Sequence, residues 1–218
     1  MSMFGNANNQ PAVSDADKSL DSGCLSAGTL VLTERGELPV ETLAIGDKLV
    51  TSSGALSAIS WIGRRKMVAG SDGPFHARPV RIRANALAEG VPSRDLLLSP
   101  AHAVFFDGIL IHAGALVNNT SIVRETGVSE TLDYYHVELD THALIVANNV
   151  RSETFIDNVG NAAFDNWEEH EALSSGKGPI LEMPCPRVKE SREVPQSIRE
   201  MLSERGISLY GAQLPSAA

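Results

Sequence analysis

The sequence is poor in cysteine, has more acidic than basic residues, and contains no long apolar run. Its two cysteines, Cys24 and Cys185, are too far apart for a dense disulfide framework or a metal site of closely spaced ligands. A membrane helix needs about 20 consecutive apolar residues, so no membrane span is expected. Lys and Arg number 18 against 27 Asp and Glu, and the net charge of −9 argues against a nucleic-acid surface.

Residues 1–23 are polar and acidic. They lack the basic start and apolar core of a secretion signal, so we expect a cytoplasmic protein, although non-classical export leaves no such mark. Gly, Asn, Asp, Ser and Pro are frequent there and large apolar side chains are few, which predicts a flexible segment.

From Cys24 onward the pattern indicates short β-strands joined by turns, as in a barrel or sandwich of hairpins. Asp107-Gly108 between two apolar runs is the signal for a type I′ hairpin turn, and Asn148-Asn149 tolerates positive φ. The basic run 64–66 is interpreted as a solvated turn. The predicted strands are 29–32, 38–40, 48–51, 55–62, 103–106, 109–112, 134–139 and 144–147.

Past Phe155 the strand pattern weakens. Residues 161–171 suggest a short helix, and residues 174–195 are rich in Gly and Pro and are predicted to be extended. Apolar residues spaced by three and four predict an amphipathic helix over 196–205. We therefore interpret residues 156–218 as an appendage that packs on the β domain.

Three segments hold side chains suited to chemistry. The first begins at Gly23-Cys24, continues through a Gly-Thr pair and ends in a Gly-Asp turn at residue 47. The second is Ser99-Pro100-Ala101-His102, and the third spans residues 135–150. Together they resemble, in order, the motifs of the Hedgehog/intein (Hint) family: a nucleophilic Cys, a Thr or Ser separated from a His by two residues, and a strand pair ending near Ala-Asn. The resemblance covers about residues 23–155, and the tail is similar to the bacterial Hint branch.

The resemblance implies a horseshoe-like, all-β Hint fold of short hairpins for residues 24–155. It also implies autoprocessing, in which Cys24 attacks the peptide bond between Gly23 and Cys24 in an N-to-S acyl shift. Residues 1–23 are then both the substrate and the leaving peptide. The expected result is N-terminal autocleavage, with the thioester resolved by water or by a small nucleophile.

This reaction converts an amide into a thioester, so the thiol must be activated and the departing nitrogen must receive a proton. His102 is the candidate acid, and Ser99 is the candidate hydrogen-bond partner at the scissile amide. Gly23 leaves the carbonyl sterically open. His136 falls where many Hint relatives carry an Asp or Cys, and it is the candidate for activating the thiol or the second nucleophile.

Each of these residues also has a purely structural interpretation. Cys24 can be a buried small hydrophobe, His102 a core histidine, and His112 is expected to be structural. His136, Glu138, Asp140 and His142 share one face of a regular strand, which is usually a solvated face. Their side chains would suit a metal by type, but we expect neither a metal nor a cofactor.

The resemblance to splicing inteins stops at the third motif. Inteins end in His-Asn, whereas Glu153 and Thr154 occupy these positions, so complete splicing is not expected. No sterol-binding segment is recognisable after residue 155. Two alternatives to autocleavage stay open: an inert Hint-fold module that binds a partner, and a cysteine hydrolase that acts on other molecules.

Overall fold

The structure, a computed structural model, describes residues 23–68, 78–126, 131–157 and 164–211. These ranges contain fourteen β-strands and two α-helices, so the predicted all-β class with a partly helical C-terminal part is confirmed. Apart from Gly23, the predicted flexible segment 1–23 lies outside the described residues. The strands are β1 Leu25–Ser26, β2 Leu30–Thr33, β3 Gly36–Pro39, β4 Lys48–Val50, β5 Leu56–Val68, β6 Val80–Ile82, β7 Leu96–Leu98, β8 Ala103–Phe106, β9 Ile109–His112, β10 Ile122–Arg124, β11 Thr131–Leu139, β12 Leu144–Ala147, β13 Val150–Glu153 and β14 Arg187–Val188.

The strands form one continuous hydrogen-bonded path in the order β10-β6-β7-β1-β11-β5-β4-β2-β12-β13-β8-β9-β14, with β3 paired beside β2. Within this path the thirteen-residue strand β5 joins the two halves, because it pairs with β11 on one side and with β4 on the other. The short strand β1 lies between β7 and β11. The start of β1 is therefore held in the interior of the sheet.

Strand β5 corrects the interpretation of the basic run as a turn. Arg64, Arg65 and Lys66 continue the strand, where they pair with Tyr135, Tyr134 and Asp133 of β11. The charged side chains point to a turn only when the run is considered alone. Paired with β11, their backbone completes a ladder, and Lys66 lies 3.8 Å from the carboxylate of Asp133.

Two predicted turns are confirmed. Asp107 and Gly108 have φ of 49° and 83°, and they join β8 to β9 in register. Asn148 and Asn149 also have positive φ, 45° and 65°, and they join β12 to β13. Positive φ at both central residues matches the right-handed twist of the flanking strands.

Helices α1 (Trp167–Ser174) and α2 (Gln196–Tyr210) follow the β region. The helix predicted over 161–171 is present only from Trp167, and residues 161–163 lie outside the described part. The helix predicted over 196–205 extends to Tyr210, and it buries Ile198 and Leu202 in the main core. The stretch between the helices contains β14, which pairs in parallel with β9. Within the described ranges, no helix is both long and apolar enough to cross a membrane.

Gly63 of β5 allows an aromatic ring to pack against the sheet. A Cβ built there would lie 2.6 Å from Cδ1 of Phe164 and 2.8 Å from Cη2 of Trp61, closer than real Cβ contacts come. The absence of a side chain at residue 63 therefore lets Phe164 cover this part of the sheet, where it packs with Cys24 and Trp61.

We expect Gly63→Ala to lower the free energy of unfolding by about 1–3 kcal/mol, because the methyl group overpacks a closed aromatic cluster. Urea unfolding would measure this loss. The matched control is Gly178→Ala, since a Cβ at Gly178 meets nothing within 4 Å and its φ is not positive. The control should change stability by less than about 0.5 kcal/mol. Equal stability of the two variants would contradict the packing argument.

Candidate active site

Cys24 lies immediately before β1, between β7 and β11. Its amide N–H donates a 2.7 Å hydrogen bond to Oγ of Ser99, and the Ser99 amide donates to the Cys24 carbonyl at 3.0 Å. Leu25 pairs with Leu98 and with Tyr135, so one step back along the same registers places Cys24 opposite Ser99 and His136. The sheet thus places Cys24, Ser99 and His136 beside one another on neighbouring strands.

Gly23 packs directly on His102. A Cβ at Gly23 would lie 2.8 Å from Cα of His102 and 3.2 Å from its Nδ1, so no larger residue fits without a shift. His102 is held in turn by backbone bonds, since its amide donates to the Ser99 carbonyl at 3.1 Å and its carbonyl accepts from Ala113 at 2.9 Å. The bond between Gly23 and Cys24 therefore lies between two contacts: Gly23 packs against His102, and the Cys24 amide binds the Ser99 hydroxyl.

The rings of His102 and His136 lie side by side with their centres 5.0 Å apart, and both are buried. Burial, which disfavours the charged imidazolium, is the main cause that lowers the pKa of His102 to about 4 and that of His136 to about 3. The rings approach the backbones of Gly23 and Glu153 respectively, but within the described residues their nitrogens complete no hydrogen bond. Near neutral pH the site therefore holds two neutral imidazoles.

The thiol of Cys24 lies in an apolar setting. Cys24 is only 2% exposed. Burial raises the pKa of Cys24 to about 12, although the charge of Arg65 acts in the opposite direction. Near neutral pH the resting group is accordingly a thiol and not a thiolate, so attack requires a base within the site. The side chains that form its cluster are Trp61, Tyr134, Phe155 and Phe164.

The expected solvated face around His136 is wrong. His136, Glu138 and His142 are buried, while Asp140 is exposed. A later segment of the chain buries this face. Helix α1 packs over β5, and its His170 lies 2.7 Å from the Glu138 carboxylate. Alternation along one strand cannot reveal a cover supplied by another segment.

A charged pair that the sequence analysis missed lies beside the two histidines. In the sequence alone, Glu153 stands only as the residue at the position of a splicing intein's histidine. In the structure its carboxylate accepts two hydrogen bonds from Arg187, at 3.1 and 2.7 Å, and one from the Ala103 amide at 3.0 Å. Nε2 of His142 lies 3.6 Å from the same carboxylate, while its Nδ1 accepts from the Met183 amide at 3.1 Å. Burial alone would raise the pKa of Glu153, but the nearby His142 ring and the hydrogen bonds from Arg187 outweigh it and hold this pKa far below its usual range.

Residues 34 positions apart give no local signal of such a pair, so the sequence offered no means of finding it. In the part of the chain that the structure describes, no group of three or more His, Cys, Asp or Glu side chains is arranged to hold a metal ion. His112 lies at the end of β9 and is half-buried. The four predicted site residues, Cys24, Ser99, His102 and His136, are thus brought together, and their roles remain predictions.

A sequence profile of the Hint domain matches residues 23–159, more than half of the chain. The chain belongs to the Hint-domain family. The family and fold implied by the three motifs are thereby confirmed. The match begins at Gly23, the residue before the candidate nucleophile, and ends before helix α1.

Several solved structures resemble this Hint domain. The gp41-1 intein is 16% identical with a TM-score of 0.41, and the alignment covers 60% of this chain and 98% of that chain. The MchDnaB-1 intein is 15% identical with a TM-score of 0.40, covering 60% and 99%. A bacterial intein-like domain from Clostridium thermocellum is 12% identical with a TM-score of 0.36, covering 61% and 98%. No curated protein matches the chain.

Proposed function

We propose that this Hint domain cleaves its own chain at the bond between Gly23 and Cys24. The proposal rests on the surroundings of that bond. The amide N–H of Cys24 donates to Ser99 Oγ at 2.7 Å, and Gly23 packs on the neutral ring of His102. The substrate is the segment that precedes Cys24, and the reaction is a single turnover that needs no cofactor or metal.

The first step exchanges an amide for a thioester. His102 accepts the proton of the Cys24 thiol as the sulfur bonds to the carbonyl carbon of Gly23. The bond between this carbon and the Cys24 nitrogen then breaks, while the imidazolium returns the proton to the departing nitrogen. The products are a thioester between Gly23 and the Cys24 side chain, a free α-amine on Cys24, and a neutral His102.

Burial favours the second of these proton transfers, from His102 to the departing nitrogen, and opposes the first, from the thiol to His102. A histidine with a pKa of about 4 is a weak base but a strong acid once protonated, so it readily gives the proton to the leaving amine. Ser99 holds the amide in place through the Cys24 N–H. His136, neutral and 5.0 Å from His102, serves to activate the nucleophile that resolves the thioester.

Complete splicing has no chemical route at the end of the domain. The Glu153 carboxylate is bound by Arg187, and Thr154 Oγ1 accepts the Ala143 amide at 3.0 Å. A threonine has no side-chain amide to cyclise. The thioester is therefore resolved by water or by a small external nucleophile, and the N-terminal segment leaves. We place this processing in the cytoplasm, where the chain is made.

Intact-mass measurement of freshly purified protein tests the proposal. We expect hydroxylamine or dithiothreitol, near neutral pH, to accelerate loss of residues 1–23, because both attack thioesters far faster than amides. A mass that stays at 23.2 kDa in every condition would overturn the proposal and favour the inert binding module. Cleavage of added peptides without loss of residues 1–23 would instead favour the cysteine hydrolase.

A further inference from the structure

The pair formed by Arg187 and Glu153 joins the C-terminal part of the chain to the candidate active site. Arg187 lies on β14, outside residues 23–159 that match the Hint profile. Pairing of Arg187 with Leu110 of β9 sets its guanidinium against Glu153 at the end of β13. The side chain of Glu153 is 8% exposed and that of Arg187 is 19% exposed, so the ion pair is largely shielded from water.

We propose that Arg187 is a positioning residue for the cleavage reaction: by binding Glu153 through both of its Nη atoms, it fixes the start of β8 beside His102 and balances the negative charge that Glu153 places next to the two histidines. This inference rests on the proposed self-cleavage. It assigns to the C-terminal part a role in the reaction that the Hint motifs do not contain.

The geometry supports a positional effect. Oε1 of Glu153 accepts both Arg187 Nη1 and the amide of Ala103, the residue after His102. A carboxylate held from two sides in this way fixes the backbone that presents the His102 ring. Glu182 bonds the outer side of the guanidinium at 2.7 Å, and this limits how far Arg187 can turn away.

The charges support an electrostatic effect. Burial is the largest cause that lowers the pKa of each histidine. The Glu153 charge raises the pKa of both His102 and His136, whereas the Arg187 charge lowers that of His102. The ion pair therefore places two opposing charges near His102. The charged or titratable groups that act on His102 are Glu153 of β13, Arg187 of β14 and His112 of β9. Those that act on His136 are Glu153, His102 and His142.

Opposite substitutions of the pair should shift the His102 titration in opposite directions. In a Cys24→Ala background, which prevents cleavage, Arg187→Gln leaves the Glu153 charge unbalanced and should raise the pKa of His102 by about one pH unit. Glu153→Gln keeps an acceptor for the Ala103 amide but leaves the Arg187 charge without its partner. This variant should lower the pKa of His102. NMR titration of the imidazole rings measures both shifts. A purely structural pair would not produce shifts of opposite sign.

The same substitutions connect the pair to the reaction when Cys24 is present. Cleavage needs neutral His102. Arg187→Gln should therefore move the acidic limb of the pH–rate profile to higher pH by the same amount. Arg187→Lys keeps the positive charge and should keep most of the pH–rate profile. Arg192→Gln is the control, because it breaks an exposed ion pair with Glu190 in the same C-terminal part and leaves Arg187 and Glu153 in place. Shifts of the same sign, or none, would overturn the inference. An unchanged rate profile beside shifted titrations would also overturn it. A protein that never cleaves would contradict the proposed function instead, and the titrations would still decide the electrostatic role of the pair.

Discussion

The Cys24→Ala variant is expected to keep residues 1–23 under every condition that releases them from the unaltered protein. The substitution removes the sulfur that bonds to the Gly23 carbonyl carbon, so the thioester cannot form and release falls to the uncatalysed rate of amide hydrolysis. Intact mass, followed over time with hydroxylamine present, measures the effect. This loss should be the largest of any single substitution in the domain.

The fold should survive this change. Cys24 contributes a small side chain to an aromatic cluster, and its loss should lower the free energy of unfolding by about 1 kcal/mol. Cys185→Ala is the matched control, since Cys185 is half-buried and lies near the Gly108 carbonyl, away from the scissile bond. The control should cleave at the unaltered rate. Equal release from Cys24→Ala would remove Cys24 from the mechanism.

Stability should fall steeply in mild acid because two histidines are buried without charge. The unfolded chain binds a proton at each of them near the ordinary pKa of 6.5, while in the folded state the pKa is about 4 for His102 and about 3 for His136. Between these values the unfolded chain binds more protons, so the free energy of unfolding decreases as the pH falls. The stabilisation is complete above pH 6.5 and is lost as the pH falls through the folded-state values.

The interval from 6.5 to about 4 corresponds to about 3 kcal/mol for His102 alone. The contribution of His136 adds to this, because its pKa in the folded state is lower still. Glu153, whose pKa is depressed, contributes a further loss at still lower pH. Urea unfolding of the Cys24→Ala precursor, repeated at several pH values, would measure the slope.

A matched pair of variants identifies the source of this slope. His136→Gln should make the free energy of unfolding less dependent on pH, because it removes one of the buried imidazoles. His112→Gln, which changes a half-buried histidine at the end of β9, should leave most of the slope in place. A stability that does not change between pH 6.5 and about 4 would show that the buried rings titrate normally.

The sequence motifs located the candidate nucleophile and its neighbours because each lies in a short local pattern. Ser99 and His102 are three positions apart, and Asp107-Gly108 marks the following hairpin. What joins these segments is the pairing of β1 with β7 and β11, which only the folded sheet supplies.

Errors arose where a distant segment decides the environment. The charges at Arg64 to Lys66 look like those of a turn until β11 is seen to pair with them. The face around His136 alternates like a solvated strand, but Phe164 and α1 cover it. Arg187 reaches Glu153 only through the parallel pairing of β14 with β9. No local pattern in the sequence contains these contacts.

Cleavage at Gly23 would create a new chain terminus in the middle of the sheet. Leu25 stays paired with Leu98 and Tyr135, so the amine of Cys24 is held where the amide nitrogen was, beside the Ser99 hydroxyl. Burial favours the neutral amine over the ammonium ion. Such an amine can attack the adjacent thioester and rebuild the peptide bond, so the acyl exchange runs in both directions inside the folded protein. The net reaction then advances only as fast as an outside nucleophile removes the acyl group.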